Sequence, residues 1–221
     1  MKIAMETVCS VCRKVKENSS QKISFQSLMY RIRREFQNRH LDLYIRSSRS
    51  HSLSAEEFYV NAYYDAEDEI DNEVPIEIII YHNFDKTVLW DSKQVTDLLI
   101  QVYDAVIHEL RHQDQSRKRG HKIYWPHSSI VLQYLSDPDE VDAYAYSIAI
   151  ELCRSLGKIR AQRYLSIFKK LSRFKLQNTY VSPNLFAFVS VFSQLDEELL
   201  KRLIKKVYKI LQKVDTDTIF M

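Results

Sequence analysis

The chain has 221 residues, long enough for one domain with a sizeable core and an appended helical lobe. Apolar residues make up 45% and charged residues 28%, the balance of a soluble globular protein rather than of a disordered or fibrous one, and a net charge of +3 does not by itself argue for a nucleic-acid partner. With only two glycines and four prolines, long regular elements are favoured over tight turns.

Met1 to about Arg49 reads as helical and basic. Phe25, Leu28, Met29, Ile32 and Phe36 recur at steps of three and four, and Arg31, Arg33, Arg34 and Arg39 decorate the rest as a solvated or phosphate-facing side. Phe58, Val60, Ala62 and Tyr64 alternate as in a strand, and the acidic stretch Asp65 to Glu73 reads as a loop. Val74 to His82 is a strong strand, Asn83 to Lys86 a turn, and Thr87 to Trp90 a short strand returning from it. A small antiparallel sheet is therefore expected before a long helix, Val95 to Arg119, stopped by Gly120. After a loop to Ser136, a second helix opens with Asp137 at the N-cap, Pro138 at the first position and Glu140 where a capping box puts its carboxylate. It runs to about Ser155, before Gly157. Its polar face continues from Glu140 through Tyr144, Ser147 and Glu151. Lys158 to Val214 reads as two or three more helices, broken near residues 178–183. The last is amphipathic through Leu199, Leu200, Leu203, Ile204, Val207, Ile210 and Leu211. This gives an α+β chain: residues 1–156 form one domain, with 1–49 its helical N-terminal part, and residues 157–221 a C-terminal helical subdomain.

Charge is uneven along the chain. Between Ser50 and Asp85 there is no Lys or Arg, and between Leu152 and Leu195 there is no Asp or Glu. These are either two solvated faces or, for the second stretch, a surface for an acidic partner. Cys9, Cys12 and Cys153 are few and odd in number, which points to a reducing compartment. Cys9 and Cys12 have zinc-knuckle spacing, but no second pair closes a four-ligand site, so they read as buried thiols. Met1 to Ser20 lacks the apolar core of a signal peptide, and no apolar run approaches the ~20 residues needed to span a bilayer. A cytoplasmic protein is expected.

The chemistry concentrates in His108-Glu109-Leu110-Arg111-His112. On a helix, residues four apart lie one turn above each other, so His108 and His112 can offer two imidazoles to one metal ion. Glu109 lies beside them, where a carboxylate can act on an attacking water. The plainer reading is a surface helix that happens to carry two histidines. Against it, the apolar stripe Val95, Leu98, Leu99, Val102, Val106 lies on another side, which leaves the histidine face unspent on the core. A hydrolytic zinc site needs a third protein ligand. Glu140, in the first turn of the second helix, is the first choice. Asp142 is a shorter carboxylate on another face, and His121 and His127 are imidazole alternatives in a loop.

The motif with Glu140-Val141-Asp142-Ala143-Tyr144-Ala145 resembles the gluzincin group of zinc peptidases, over roughly Ile76 to Leu152. The downstream stretch Asp137-Pro138-Asp139-Glu140 through Leu152 also resembles uncharacterised His-Glu-x-x-His proteins encoded by tailed phages, for which the compartment is the host cytoplasm. The gluzincin resemblance implies a zincin-like fold, Zn2+ held by His108, His112 and Glu140, and Glu109 as general base in peptide hydrolysis. Where that group often has an aspartate four residues after the ligand glutamate, this chain has Tyr144. A rival resemblance is to SprT-type proteases, which take a third histidine; His121 followed by Tyr124-Trp125 echoes them, without the cysteine-rich ribbon.

Peptide hydrolysis also needs oxyanion donors, for which Tyr134, Tyr144, Tyr146, His127 and Arg111 are candidates; Asp104, one turn before His108, reads either as a plain exposed aspartate or as a carboxylate that orients that imidazole. The strands Val74 to Tyr81 and Thr87 to Trp90 are the expected edges for a peptide or protein substrate, with Asp65 to Glu73 beside them as a preference for basic peptides or as a lid. A reading of another class is a non-catalytic binding protein, its metal site structural or vestigial, whose basic helices meet nucleic acid or an acidic protein.

Overall fold

The computed structural model describes residues 2–19, 21–71, 73–121, 131–168, 181–192 and 197–221. The architecture is mixed α+β. Two compact units make up the chain, one of residues 1–123 with 220–221, the other of residues 124–219.

The first unit begins with helices α1 (Lys2–Glu17) and α2 (Phe25–Asn38). The expected stripe of α2 is its core face: Phe25, Leu28, Met29, Ile32 and Phe36 are all buried. Ser24 caps it, its hydroxyl accepting from Ser27 N. Two of its arginines, and Arg39 just after it, are tied into the protein. Arg33 Nε donates to Ile45 O at 2.7 Å, Arg31 to Asn18 O, and Arg39 to Ser10 Oγ at 3.2 Å. Cys9 and Cys12 are buried on α1, and none of the three cysteines forms a disulfide.

The helical reading of residues 1–49 fails at its end. His40 takes a positive φ of 52°, α2 stops, and Leu43–Arg49 is a strand, β2. The first strand, β1 (Ile23–Ser24), is very short. β3 (Phe58–Tyr64) and β4 (Ile76–His82) lie where expected. The sheet is not purely antiparallel: its order is β2-β4-β3, with β4 parallel to β2 and antiparallel to β3. β4 is its most buried strand, which suits a central place and a near-continuous Ile run. β5 (Leu89–Trp90) pairs with β1 rather than with β4. The acidic stretch contains a helical turn and is not all loop: α3 (Ala66–Ile70) is capped by Asp65, and Glu67, Asp68 and Glu69 sit in its positive first turn.

α4 (Ser92–Lys118) has 27 residues and opens with a full capping box between Asp91 and Gln94. It packs on β3, β4 and α1. Val95, Leu98, Leu99, Val102, Val106 and Ile107 are buried. Six such side chains contribute on the order of 10 kcal/mol gross. That far exceeds what propensity supplies, so packing holds this helix. Arg119 ends it, and both Gly120 and His121 adopt positive φ.

In the second unit, α5 (Val131–Ser136) leads to α6 (Pro138–Leu156), capped by Asp137 through Asp139 N at 2.8 Å, with Pro138 in the first turn. α7 (Lys158–Phe168), α8 (Pro183–Phe192) and α9 (Glu197–Lys213) follow, and α6 packs on all three. The expected break at 178–183 lies largely outside the described residues. Leu199, Leu203, Ile204, Val207 and Leu211 are the buried side of α9. Ser147 and Glu151, expected on the polar face of α6, are buried as well. Glu151 anchors the start of α8, accepting from Ser182 Oγ at 2.5 Å and Asn184 Nδ2 at 2.7 Å.

In the first unit's core, His82 is 1% exposed against the rings of Phe25 and Phe84. Its Nδ1 lies 3.0 Å from Phe84 O, and Nε2 is buried. Burial lowers its pKa below the usual 6.5. The native state thus refuses a proton that the unfolded chain accepts once pH falls below about 6.5. Urea unfolding across pH 7.5 to 5 will show stability falling as pH drops through that window. In His82→Phe, judged by difference, that part of the slope will be gone.

Candidate metal centre

α4 buries its stripe and keeps the opposite side half-exposed through Gln101, Asp104, Ala105, His108, Arg111, His112 and Gln115. The two motif histidines rise about 6 Å apart along the axis, so one turn brings their rings together. The ring centroids are 4.9 Å apart and inclined at 70°, and the two Nε2 atoms are 3.2 Å apart. That separation has a chemical meaning. Two nitrogens on one tetrahedral zinc, each about 2.0–2.1 Å from it, lie about 3.3 Å apart. The pair is already at ligand spacing.

His112 has an orienting partner that the motif does not name. Its Nδ1 is 3.1 Å from Gln115 Oε1. With that oxygen accepting, the proton sits on Nδ1 and Nε2 presents a lone pair toward His108. The only sequence signal is an amide three residues after the second histidine. Arg111 donates to Asp114 at 3.2 Å on its own helix, a carboxylate that also accepts from Lys118 Nζ at 2.6 Å.

The lower half of α4 is clamped by Glu69 of α3. This carboxylate accepts from Tyr64 Oη at 2.5 Å, Gln113 Nε2 at 3.3 Å and Arg117 Nε at 2.5 Å, and His121 Nδ1 is 3.6 Å away. The Tyr64 phenol is pushed up to about 12, by burial first and then by Glu69. Gln113 follows His112 directly, so the clamp grips the motif's own turn.

The candidates for a third ligand separate clearly. One donor atom each from His108, His112 and Glu140 lies within 4.8 Å of the other two, and Glu140 is buried. Among the described residues this is the group with metal-holding geometry. Asp142 is engaged by Lys206 Nζ at 3.2 Å. His121 is beside Glu69, as above. His127, Tyr124 and Trp125 lie outside the described residues. Glu109 is 6% exposed, a buried carboxylate adjoining the histidines. Tyr144 packs its ring on Phe188, edge to face. A set of two imidazoles and a carboxylate suits zinc, iron or manganese.

No protein-family model matches the chain, and no match is found among curated proteins or solved structures.

Gln115 offers a direct check on how the site is organised. In Gln115→Leu, the affinity for added Zn2+, measured by competition with a chromophoric chelator, will fall about ten- to a hundredfold, the usual effect of removing an orienting partner. Thermal stability of the metal-stripped protein will stay close to wild type, because Gln115 is half-exposed.

Proposed function

We propose that this protein is a zinc-dependent metallopeptidase with a zincin-like architecture, similar to the gluzincins. His108, His112 and Glu140 would hold the metal and Glu109 would be the general base. The observation that carries the reading is the ready-made ligand group: two Nε2 atoms 3.2 Å apart, with a buried carboxylate of the expected helix in reach.

A divalent cation held there supplies Lewis acidity to a water and to the substrate carbonyl. The chain supplies the rest. Gln115 holds the His112 tautomer, and the Glu69 clamp holds the turn that carries it. Glu109 takes a proton from the attacking water and passes it to the departing amine, so that one peptide bond and one water become a carboxylate and an ammonium group. Its burial keeps bulk water from competing for that proton.

The route for substrate differs from the sequence expectation. β4 has a neighbour on each side, so it is not an edge for an extended peptide, and β5, paired with β1 on one side, is a strand of only two residues. β3 is an edge strand packed on α4, which makes Phe58–Tyr64 the better strand for main-chain pairing. One of its amides, Val60 N, is already held by Gln101 Oε1 at 3.2 Å.

A second reading has one observation in its favour. α9 exposes Lys201, Arg202, Lys205, Lys209 and Lys213 to solvent. This stripe suits a non-catalytic protein that binds nucleic acid or an acidic surface around a structural metal.

Metal analysis and one catalytic variant decide between them. Wild type purified without chelators will carry one zinc per chain. Glu140→Ala will lose it, and Asp142→Ala and His121→Ala will keep it. Glu109→Gln will keep the metal yet hydrolyse a quenched fluorescent peptide library about 10²–10⁴-fold more slowly. Absence of metal in wild type after adding zinc, or unchanged hydrolysis in Glu109→Gln, would remove the peptidase reading.

A further inference from the structure

The sheet of the first unit buries one face and exposes much of the other, on which Ile79 of the central strand is covered. On the outer face the register sets Tyr44 of β2, Glu77 of β4 and Tyr63 of β3 side by side in one row. Such solvent faces normally carry small polar or charged groups. Here Tyr44 is 54% and Tyr63 45% exposed, and Tyr59 and Tyr81, further along the face, stack at 4.8 Å. Beside the Tyr44–Tyr63 row lies a depression of 440 Å3, lined by those two tyrosines, Asp68, Glu73, Val74, Pro75 and Glu77.

Its chemistry is specific. Two phenol rings stand on either side of a carboxylate, about 10 Å apart at their Cα atoms, since strands are spaced about 4.8 Å. Glu77 and its Arg46 partner take the place between the rings in the row, so a docking cation meets the rings from the depression beside it. Glu77 is partly matched, since Arg46 Nε lies 2.5 Å from its Oε1. Counting Asp68, Glu73 and Glu77 against Arg46, the depression still carries a net charge of −2. No Lys or Arg occurs anywhere between Ser50 and Asp85 to offset it.

We propose that this outer face is a docking site for an arginine side chain on a partner polypeptide. The guanidinium stacks against Tyr44 and Tyr63 while Asp68 and Glu73 accept its N–H groups. Arginine suits the site better than lysine, because a flat, weakly hydrated fork gains from both rings and carboxylates. A tyrosine-bearing sheet is also a platform for stacked bases, but the net negative charge repels a phosphate backbone. The site makes no use of His108, His112 or Glu140, so it does not depend on the peptidase reading.

The test is fluorescence anisotropy of a labelled Gly-Arg-Gly-Arg-Gly peptide with the full chain in chelator, beside the same peptide with citrulline for arginine. The arginine peptide will bind and the citrulline peptide will bind at least tenfold more weakly. Tyr63→Ala, and separately Asp68→Asn with Glu73→Gln, will each weaken binding about tenfold, whereas Tyr63→Phe, which keeps the ring, will not. Both sets alter surface side chains, so the charge variant reports even if the aromatic one fails to fold. Equal binding of the citrulline peptide, or wild-type binding by the charge variant, overturns the proposal. So does capture of a labelled oligothymidylate on this face, lost in Tyr63→Ala, which would make it a nucleic-acid platform instead.

Discussion

Burial of one side of α4 is the constraint on which the first unit depends. Val95, Leu98, Leu99, Val102, Val106 and Ile107 lock the helix rotation against β3, β4 and α1. Once that rotation is set, His108 and His112 must emerge together on the half-exposed side, because 3.6 residues per turn leaves them no other place. The direction in which the histidine pair faces is thus a consequence of hydrophobic packing on the opposite side. The 3.2 Å between the two Nε2 atoms is set within the helix itself, by one turn and the side-chain rotamers.

Carboxylates carry the second level of organisation. A buried charge is costly unless matched, so each one marks a place where the fold has arranged partners. Glu69 gathers a phenol, an amide and a guanidinium, and in doing so ties α3 to the last turns of α4. Glu151 plays the same part in the second unit, where it accepts from Ser182 and Asn184 at the start of α8. Glu109 and Glu140 are as deeply buried as Glu151, more so than Glu69, and adjoin or reach the histidine pair. A cation suits this set because it offsets the carboxylate charge and uses both imidazole lone pairs at once.

The outer face of the sheet follows a different logic. Its tyrosines gain nothing from the core, and its carboxylates lie where no cationic side chain of the same stretch answers them. Aromatic rings beside a net negative charge that Arg46 offsets only in part fit an external cation.

Periodicity along single elements is legible in the amino-acid sequence itself. The stripe of α2, the run of α4 and its stop at Gly120, the Asp137-Pro138 start of α6, and the alternation of β3 and β4 are all local patterns, and local sterics and burial write them directly. The i, i+4 histidines belong to the same class. Strand pairing is not legible in that way. That β2 is a strand, that it runs parallel to β4, and that β5 joins β1 depend on partners far along the chain, which no window of residues contains. The same holds for Gln115 on His112 and for Glu69 beneath Gln113, where side-chain direction and tertiary approach decide the contact. As residue types, Asp142 and His121 are as able to bind a metal as Glu140. Lys206 engages the first and Glu69 lies beside the second, and only the folded chain assigns those neighbours, because electrostatic partners are chosen by distance in space and not by distance in sequence.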